Sequence, residues 1–398
     1  MVSRAARIRI GAFLALLLLN LAPVRLPLLP SGPLAGVEKD VPRAPLTPDS
    51  WWSGRFQQDF DRWFARRLPG RPHLVRTDNQ ISLSLFGQAP SGGTRLLLGL
   101  GGTIIEQAQL DQYNWPRRTD PARLAAFAQD LRRLQGLLER RGQQLVVVIA
   151  PTKVEIYPEL NPPGFVVPGR AGRRSTYDEL VPLLDAAGVT LVDGHRILLE
   201  ERARGDVPVF PRGGTHWNHY GGALVASSLL AALDRGAPGH FVQLDVKGAR
   251  TDRVVWATDD DLGQLLNVWW PRPWPGPQTH PVLETRSQGR VRPRLLFAGD
   301  SFTLALLDFM TGEGLIDAGE SIFYFNRRAR YPGGGITPLD RSRFDVMREF
   351  QGLDAVVLVS SEHWLHTQIF GFVAAALKSL EAEQAEQAGV SRAGPPGR

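Results

Sequence analysis

A serine and a histidine in two short motifs are the residues of this chain best suited to nucleophilic chemistry. The serine is Ser301, within Gly-Asp-Ser-Phe at 299–302, and the histidine is His216, within Gly-Thr-His-Trp-Asn at 214–218. A serine hydroxyl is a weak nucleophile until a neighbouring base accepts its proton, and an imidazole can serve as that base. The two motifs therefore predict covalent catalysis with Ser301 as nucleophile and His216 as base.

The segments on either side of Ser301 predict a strand followed by a helix. The apolar run 295–298 is typical of a buried parallel strand, and 303–307 has the composition of a helix start. At such a turn the hydroxyl lies at the carboxyl edge of the sheet, beside free N–H groups that can bind an oxyanion. We therefore assign Asp300, Ser301 and Phe302 to the turn and the oxyanion site, with Asp300 shaping the turn. The competing interpretation is that Ser301 only caps the helix.

The rest of the chain alternates strands with helices. Predicted strands cover 145–149, 189–193 and 355–359, and predicted helices begin at Asp120-Pro121 or cover 177–187, 220–233 and 366–380. This rhythm predicts βαβ units, and hence an α/β fold with a parallel sheet flanked by helices. Because ligands bind beyond the carboxyl ends of the strands in such sheets, we expect Asp193, Ser301 and Glu362 to face one crevice.

The two motifs resemble those of the SGNH hydrolase superfamily, and more narrowly its alginate O-acetyltransferase-like branch. The superfamily has its nucleophile in a Gly-Asp-Ser block, and the branch has an Asp-x-His-Trp segment upstream of that serine, the order found here. Further segments that resemble the branch are 56–60, Trp63-Phe64 and Arg71 in an aromatic lead-in, Pro151, Lys153 and 156–158, and the segment 261–266. The resemblance covers about residues 50–375 and implies an SGNH-hydrolase-like fold.

This resemblance implies an extracytoplasmic polysaccharide O-acetyltransferase, or an acetylesterase, in which Ser301 forms an acetyl-enzyme. It also implies a membrane-bound O-acyltransferase partner that delivers the acetyl group. The alternative is a catalytically weak carbohydrate-binding or scaffold homologue in an exopolysaccharide modification and export complex.

One residue departs from the pattern of the branch. Gly214 stands where the branch has the aspartate that orients the histidine. In serine proteases the loss of that acid costs on the order of 10⁴ in kcat. Three explanations are open. Another carboxylate replaces it, with Asp193, Asp308 and Glu362 as candidates; a backbone carbonyl holds His216; or the chain binds carbohydrate with little catalysis.

Substrate-binding candidates are aromatic, amide and basic side chains near the motifs or in the irregular segment. These are Trp217, Asn218, Trp269, Trp270, Asn326 and Arg327. A tryptophan can stack on a sugar face, and an arginine can bind an acidic sugar. The sequence shows no cluster with metal-ligand spacing and no convincing phosphate loop, so we predict neither a metal nor a cofactor.

Composition limits the function classes. The chain has 398 residues, a formal net charge of +6 and no cysteine. Without cysteine it has no disulfide framework, thiolate metal site or thiol nucleophile. Its basicity lies largely in arginines of the N-terminal third, and no nucleic-acid-binding module accompanies it, so we predict no nucleic-acid partner.

The N-terminus predicts an extracytoplasmic location. Arg4, Arg7 and Arg9 precede the apolar run 10–22, which suits a signal peptide or a signal anchor in the cytoplasmic membrane. The domains we predict are a signal segment at 1–30, a linker and aromatic helical lead-in at 31–95, an SGNH-like α/β domain at 96–380 with an irregular insertion at 236–292, and a disordered tail at 381–398.

Overall fold

The computed structural model of this protein describes residues 4–19, 32–36, 45–68, 70–90, 94–170, 173–205, 207–256, 258–271, 273–331 and 334–392. The chain divides into two compact units. Unit 1 comprises residues 1–98 and 261–274, and unit 2 comprises residues 99–260 and 275–398. Both motifs lie in unit 2. The domain boundaries expected from the sequence stay predictions.

The α-helices of the described residues are α1 (Arg4–Leu19), α2 (Pro48–Trp52), α3 (Arg55–Arg67), α4 (Arg71–Phe86), α5 (Gln107–Asn114), α6 (Pro121–Glu139), α7 (Lys153–Ile156), α8 (Thr176–Ala187), α9 (Gly194–Arg204), α10 (His219–Gly236), α11 (Asp261–Leu265), α12 (Phe302–Gly312), α13 (Val346–Glu349) and α14 (Phe372–Arg392). The β-strands are β1 (Leu96–Leu98), β2 (Ile104–Glu106), β3 (Gln144–Ala150), β4 (Leu191–Asp193), β5 (Gln243–Asp252), β6 (Gln278–Arg286), β7 (Arg294–Gly299), β8 (Ala318–Phe323), β9 (Arg327–Tyr331), β10 (Thr337–Pro338) and β11 (Ala355–Ser361).

Unit 1 is helical and rich in aromatic side chains. On α3 the ring of Phe60 stacks on those of Phe56 and Phe64, with centroid distances of 5.8 Å and 6.0 Å. Residues four apart lie on the same side of a helix, so the spacing in the sequence places these three rings in one row. The aromatic helical lead-in predicted from the sequence is helical over α3 and α4.

The N-terminal segment is a helix over the residues that the structure describes there. This helix is α1, and residues 1–3 and 20–31 of the region lie outside the described residues. No helix within the described ranges combines the length and the apolarity that crossing a bilayer requires. The signal anchor therefore stays a prediction from the sequence.

A seven-stranded sheet with the order β10-β9-β8-β7-β11-β3-β4 forms the centre of unit 2. The strands β8, β7, β11, β3 and β4 are parallel, whereas β9 and β10 add antiparallel pairs at one edge. The predicted α/β fold with a mostly parallel sheet flanked by helices is thereby confirmed. The order also sets distances, because β7 and β11 are neighbours whereas β4 lies three strand spacings, about 14 Å, from β7.

Helices cover both faces of this sheet, as the strand composition requires. Val146 and Val148 of β3 point into a core that contains the buried side chains of α10 and α12. Leu145, Val147 and Ile149 of the same strand point into a second core with α6, α8 and α14. Successive side chains of a strand alternate between faces, so a strand buried on both sides is a continuous apolar run.

Two regions differ from the expectation. The interval 236–292, predicted to be irregular, contains β5 and β6, which form an antiparallel sheet with a register shift between Val246 and Gly248. Alternating charged and apolar side chains in 243–252 were its signal. The segment 381–392, predicted to be disordered, continues α14 to Arg392. Residues 393–398 lie outside the described residues.

Candidate active site

Ser301 lies in a tight turn between β7 and α12. Gly299 ends the strand so close to β11 that a Cβ there would lie 1.6 Å from the carbonyl oxygen of Val359. The buried carboxylate of Asp300 accepts hydrogen bonds from Phe302 N at 3.0 Å and from Ser361 N at 2.6 Å. Asp300 therefore links the turn to the end of β11, and both of its carboxylate oxygens accept hydrogen bonds there.

The side chain of Ser301 is available for chemistry. Ser301 has helical backbone angles, φ −66° and ψ −16°, and its hydroxyl makes no capping hydrogen bond. The interpretation of Ser301 as an ordinary helix cap is therefore wrong. The reason is the turn itself, because the carboxylate of Asp300 already binds an N–H group at the helix start.

His216 lies in the loop between α9 and α10. Asn218 caps α10 by accepting a hydrogen bond from Gly221 N at 2.8 Å, and its amide donates to Pro208 O at 2.7 Å. Earlier in the loop, the carbonyl of Arg212 accepts hydrogen bonds from Ile104 N at 2.8 Å and from the buried ammonium of Lys153 at 3.3 Å. The loop that carries His216 is thus fixed at both ends.

The fold brings His216 and Ser301 together. His216 Nε2 lies 2.9 Å from Ser301 Oγ, which is hydrogen-bond distance. The ring of Phe302 contacts both His216 and Trp217 edge to face, with centroids 4.7 Å apart in each pair. The residue after the serine therefore positions the histidine by packing. This arrangement can pass a proton from the serine hydroxyl to the imidazole.

Of the three N–H groups assigned to the oxyanion site, two are engaged within the turn. Asp300 N donates to Val359 O at 3.3 Å, and Phe302 N donates to the Asp300 carboxylate. The third N–H group, that of Ser301, interacts with the Tyr324 hydroxyl, which also interacts with the Ser301 hydroxyl. Burial raises the pKa of Tyr324, and these two contacts lower it.

Tyr324 is a residue that the sequence analysis missed as part of this site. It has a left-handed backbone, φ 53°, which is uncommon outside glycine, and Phe325 follows at φ 49°. Its N–H donates to Gly299 O at 2.6 Å, and its ring contacts Trp364 and Phe370 edge to face. A strained aromatic residue held against a nucleophile is a common feature of functional sites. No sequence signal marks it, since its position follows from the end of β8.

Two of the three carboxylates considered as replacements for the missing aspartate are bound elsewhere. Asp193 caps α9 by accepting from Arg196 N at 3.0 Å, and it also accepts from the Tyr177 hydroxyl at 2.9 Å. Glu362 forms an ion pair with His195. For these two residues the expectation of a role beside His216 is corrected. For Asp193 the reason is strand order, because β4 lies on the far side of β3 and β11 from β7. Glu362 follows β11, the neighbour of β7, but its carboxylate is bound by His195.

Asp308 is the third of these carboxylates. It lies seven residues after Ser301 on α12, two turns and about 10 Å along the helix axis. Desolvation raises the pKa of Asp308, and the nearby His216 lowers it. Asp308 therefore interacts electrostatically with His216, although its side chain is exposed to solvent.

Glu362 and His195 belong to a buried cluster of charged groups at the same edge of the sheet. Burial alone would lower the pKa of His195, but the Glu362 carboxylate outweighs it and raises the pKa to about 9. Burial, with repulsion from Glu362, raises the pKa of Glu155 to about 7, against the attraction of Arg170 at 2.7 Å. A histidine charged at neutral pH cannot act as a base, so this cluster is structural.

The backbone around Gly214 explains why no aspartate occurs there. A Cβ at Gly214 would lie 2.2 Å from the carbonyl oxygen of Thr258, 2.7 Å from Pro211 Cγ and 3.2 Å from the carbonyl carbon of Asp259. Backbone atoms cannot move aside as a flexible side chain can, so the position tolerates only glycine in this conformation. The segment 258–260 fills the space into which an aspartate at 214 would project.

Three of the six proposed substrate-binding residues have other roles. Trp217 and Asn218 are each 2% exposed, so they pack and cap rather than contact a ligand. Trp269 lies in unit 1, where it stacks on His73 at 5.4 Å and its indole N–H donates to the Thr77 hydroxyl at 3.0 Å. These three expectations are corrected, because burial removes the aromatic and amide faces from solvent.

The remaining substrate-binding candidates are exposed. Trp270 is 62% exposed and belongs to unit 1. Asn326 lies in the turn between β8 and β9, and Arg327 begins β9; both side chains are exposed, two and three residues after Tyr324. Their roles stay predictions. Within the described ranges no group of three or more histidine, aspartate or glutamate side chains has the arrangement of a metal site.

Solved structures resemble this chain at low sequence identity. No curated protein sequence matches the chain. Among solved structures, the O-acetyltransferase domain of Pseudomonas putida AlgJ aligns at 17% identity over 71% of this chain and 99% of its own, with a TM-score of 0.43. Pseudomonas aeruginosa AlgX aligns at 17% identity over 70% and 66%, with a TM-score of 0.41, and Bacillus cereus PatB1 at 8% over 69% and 97%, with a TM-score of 0.39.

The sequence pattern of one family carries the assignment. The family model described as the SGNH hydrolase-like domain of the acetyltransferase AlgX matches residues 111–308. This range starts within α5 and ends within α12, so it includes the loop of His216 and the turn of Ser301. Through this domain the chain belongs to the SGNH hydrolase-like family of the acetyltransferase AlgX.

Proposed function

We propose that this protein is an O-acetyltransferase of polysaccharide that works through an acetyl-enzyme on Ser301. The observation that carries the proposal is the 2.9 Å contact between His216 Nε2 and Ser301 Oγ, at a strand-to-helix turn where the hydroxyl does no capping. Membership of an acetyltransferase family supports the reaction class.

The reaction has two balanced steps. His216 accepts the proton of Ser301 as Oγ attacks the carbonyl carbon of an acetyl ester, and the oxyanion that forms displaces the Tyr324 hydroxyl from the N–H of Ser301 and binds there. The imidazolium then protonates the departing alcohol, which leaves acetyl-Ser301. In the second step His216 deprotonates a sugar hydroxyl, which attacks the acetyl group and regenerates the serine. Water in place of the sugar gives an acetylesterase.

The compartment and the partners are part of the proposal. The arginines at 4, 7 and 9 followed by the apolar run 10–22 support export from the cytoplasm. An exported enzyme has no access to cytoplasmic acetyl donors, so a membrane-bound O-acyltransferase would deliver the acetyl group. The acceptor class is polysaccharide, and the enzyme acts without a cofactor because the serine itself carries the acetyl group.

Gly214 favours a second candidate. A chain that lacks the orienting aspartate of its family at 214 could bind polysaccharide as a scaffold without turning it over. The two candidates differ in what substitution of Ser301 does. It abolishes turnover by an enzyme, whereas it leaves carbohydrate binding by a scaffold unchanged.

The test uses a chromogenic acetyl ester and the full-length protein beside Ser301→Ala and His216→Ala. Acetate release by the parent and its loss in both variants supports the acetyl-enzyme. Mass spectrometry of oligosaccharides incubated with the ester then measures transfer as the gain of acetyl groups. Equal background in all three proteins, together with oligosaccharide binding that survives Ser301→Ala, overturns the enzyme in favour of the scaffold.

A further inference from the structure

We infer that Asp260 is the acid that orients His216, supplied from the segment 258–260 in place of the aspartate missing at 214. The inference rests on the proposed Ser301–His216 chemistry and adds a positioning residue to it. It gives this chain the same three chemical groups as its family, with the carboxylate carried by a different part of the sequence.

The first step is the space beside Gly214. The Cβ of any residue at 214 would project onto the backbone from Thr258 to Asp259, at 2.2 Å and 3.2 Å. In the pattern of the family an aspartate stands two residues before the histidine, where it orients the imidazole. In this chain the backbone of 258–259 fills the space beside position 214, and Asp260 is the residue that follows it.

The second step is the anchoring of this segment. Trp256 stacks on His219, with centroids 3.9 Å apart and an interplanar angle of 11°. His219 begins α10, three residues after His216, so the segment is packed against the element that holds the base. Gly312 of α12 leaves room for the indole, since a Cβ there would lie 3.0 Å from Trp256. The segment thereby packs against α10 and α12, the two helices that begin just after His216 and Ser301.

The third step separates Asp259 from Asp260. Asp259 accepts a hydrogen bond from Trp256 N at 2.8 Å through its carboxylate, and its own N–H donates to Trp256 O at 3.0 Å. Asp259 therefore closes the turn that brings the chain back to Gly214. Asp260 follows as a carboxylate that is only 9% exposed. A carboxylate so deeply buried requires a polar or charged partner, and because the backbone of 258–259 lies against Gly214, two residues before His216, we assign that role to His216.

The fourth step is the state of the other carboxylates around His216. Asp300 binds two backbone N–H groups of the serine turn, and Asp308 is exposed. Glu106 accepts from the Thr215 hydroxyl at 3.2 Å and from the Gln109 amide at 2.7 Å. Asp300 and Glu106 therefore have structural partners that account for their positions.

The chemistry follows from the ring geometry. Nε2 of His216 faces Ser301, so the ring must carry its proton on Nδ1 in order to accept the serine proton. A carboxylate at Nδ1 accepts that hydrogen bond, fixes the tautomer and stabilises the imidazolium as it forms. The family achieves this with a local acid, and this chain achieves it with one from the segment 258–260.

The principal experiment compares Asp260→Asn with Asp259→Asn as matched control. Asparagine at 259 keeps an oxygen that accepts the Trp256 N–H, so the turn survives. We expect Asp260→Asn to lower kcat for the acetyl ester on the order of 10⁴-fold, as for the serine-protease acid, and Asp259→Asn to stay within about tenfold of the parent. Glu106→Gln and Asp308→Asn test the competing carboxylates. The largest loss at either of these, with Asp260→Asn near parent activity, overturns the inference.

A titration of the histidine rings by NMR distinguishes positioning from a merely structural role. The His216 signal is assigned with His216→Gln. Loss of the adjacent carboxylate disfavours the imidazolium, so Asp260→Asn should lower the pKa of His216 while Asp259→Asn leaves it unchanged. The groups that face His216 and stay constant in this comparison are Asp300, Asp308 and Glu106. An unchanged pKa in Asp260→Asn contradicts the inference.

A crystal structure of the unsubstituted protein gives an answer even if Asp260→Asn fails to fold. We expect an Asp260 carboxylate oxygen within about 3 Å of His216 Nδ1, and a separation beyond about 4 Å overturns the inference. Failure of the proposed function has a different signature. The parent would then be no more active than Ser301→Ala, while the His216 titration and the Asp260 distance would still decide the role of Asp260.

Discussion

Two histidines near the carboxyl edge of the same sheet have different partners. His195 begins α9 next to β4, is paired with the Glu362 carboxylate and stacks on Tyr177 at 4.5 Å. That environment raises the pKa of His195 to about 9, which keeps the ring charged at neutral pH. His216 begins no helix and lies 2.9 Å from a serine hydroxyl. His195 is held in a charged pair, whereas His216 has a serine hydroxyl at Nε2 and can act as its base.

A carboxylate near a histidine therefore does not by itself make a catalytic triad. The ion pair of His195 and Glu362 is largely buried, with side chains 16% and 8% exposed. At the other site, Ser301 follows β7 and His216 lies in the loop before α10. The two sites approach each other at the end of β11, because Asp300 of the serine turn accepts a hydrogen bond from Ser361 N, one residue before Glu362.

The largest effect is expected for substitution of His216, the proposed base. His216→Ala should lower kcat/KM for an acetyl ester by between about 10⁴- and 10⁶-fold, because the serine loses its base. His195→Ala should stay within about threefold under conditions where the protein is folded, because that ring contacts no reacting atom. Ester hydrolysis at 25 °C measures both. Equal losses in the two variants would show that the two histidines form one functional system.

The second prediction concerns the stability that the ion pair of His195 and Glu362 contributes. Glu362→Gln should lower the free energy of unfolding by about 3 kcal/mol near pH 6, since it leaves the charged His195 buried without its partner. The folded-state pKa of about 9 lies above the ordinary value of 6.5, so the stabilisation is complete below pH 6.5 and is lost as the pH rises through 9. Denaturant unfolding of parent and variant at pH 6 and pH 9.5 checks this. A stability difference that grows with pH would contradict it.

A smaller effect sharpens the role of the loop that carries His216. Gly214→Ala should destabilise the protein by about 1–3 kcal/mol, because the added Cβ meets the Thr258 carbonyl oxygen at 2.2 Å. It should also lower activity, since relief of this clash moves the loop away from the segment 258–260. Gly239→Ala is a useful control because a Cβ there meets no atom, although the left-handed φ of 78° adds backbone strain. Thermal unfolding and ester hydrolysis measure the two effects.

The smallest effect concerns the tyrosine beside the nucleophile. Tyr324→Phe keeps the ring that packs on Trp364 and Phe370 but removes the hydroxyl that contacts Ser301. We expect about a tenfold loss in kcat, the value of one net hydrogen bond, with unchanged stability. A loss of 10²-fold or more would assign the hydroxyl a direct role in binding the oxyanion.

Much of the fold could be predicted from local patterns. The strand at 145–149 and the helix that starts after Asp120 are present as β3 and α6, with Asp120 accepting from Ala122 N at 3.0 Å as a helix cap. Continuous apolar runs and capping residues act over a few neighbouring residues, so they can be read without knowledge of the rest. The sheet at 243–286 was missed, because pairing between β5 and β6 joins segments more than twenty residues apart.

The candidate site divides in the same way. Ser301 and His216 stand in short motifs with a chemical meaning, so the sequence singled them out. Asp193 and Glu362 were expected near them because both follow strands, but the sheet order separates β4 from β7, and Glu362 is paired with His195. Trp217 and Trp269 were considered as sugar platforms, although their burial depends on contacts with distant segments.

Residue types at short spacing were enough to predict Ser301 and His216 as the reacting pair, the strand-to-helix turn of the serine and the parallel α/β class. They also show that Gly214 stands in place of the acid of the family. Three features required the folded structure: which carboxylates are bound elsewhere, the contact of Tyr324 with Ser301, and the backbone of 258–259 that fills the space beside Gly214. These depend on strand order and on loop packing, which are set by the total burial of apolar surface rather than by any local pattern.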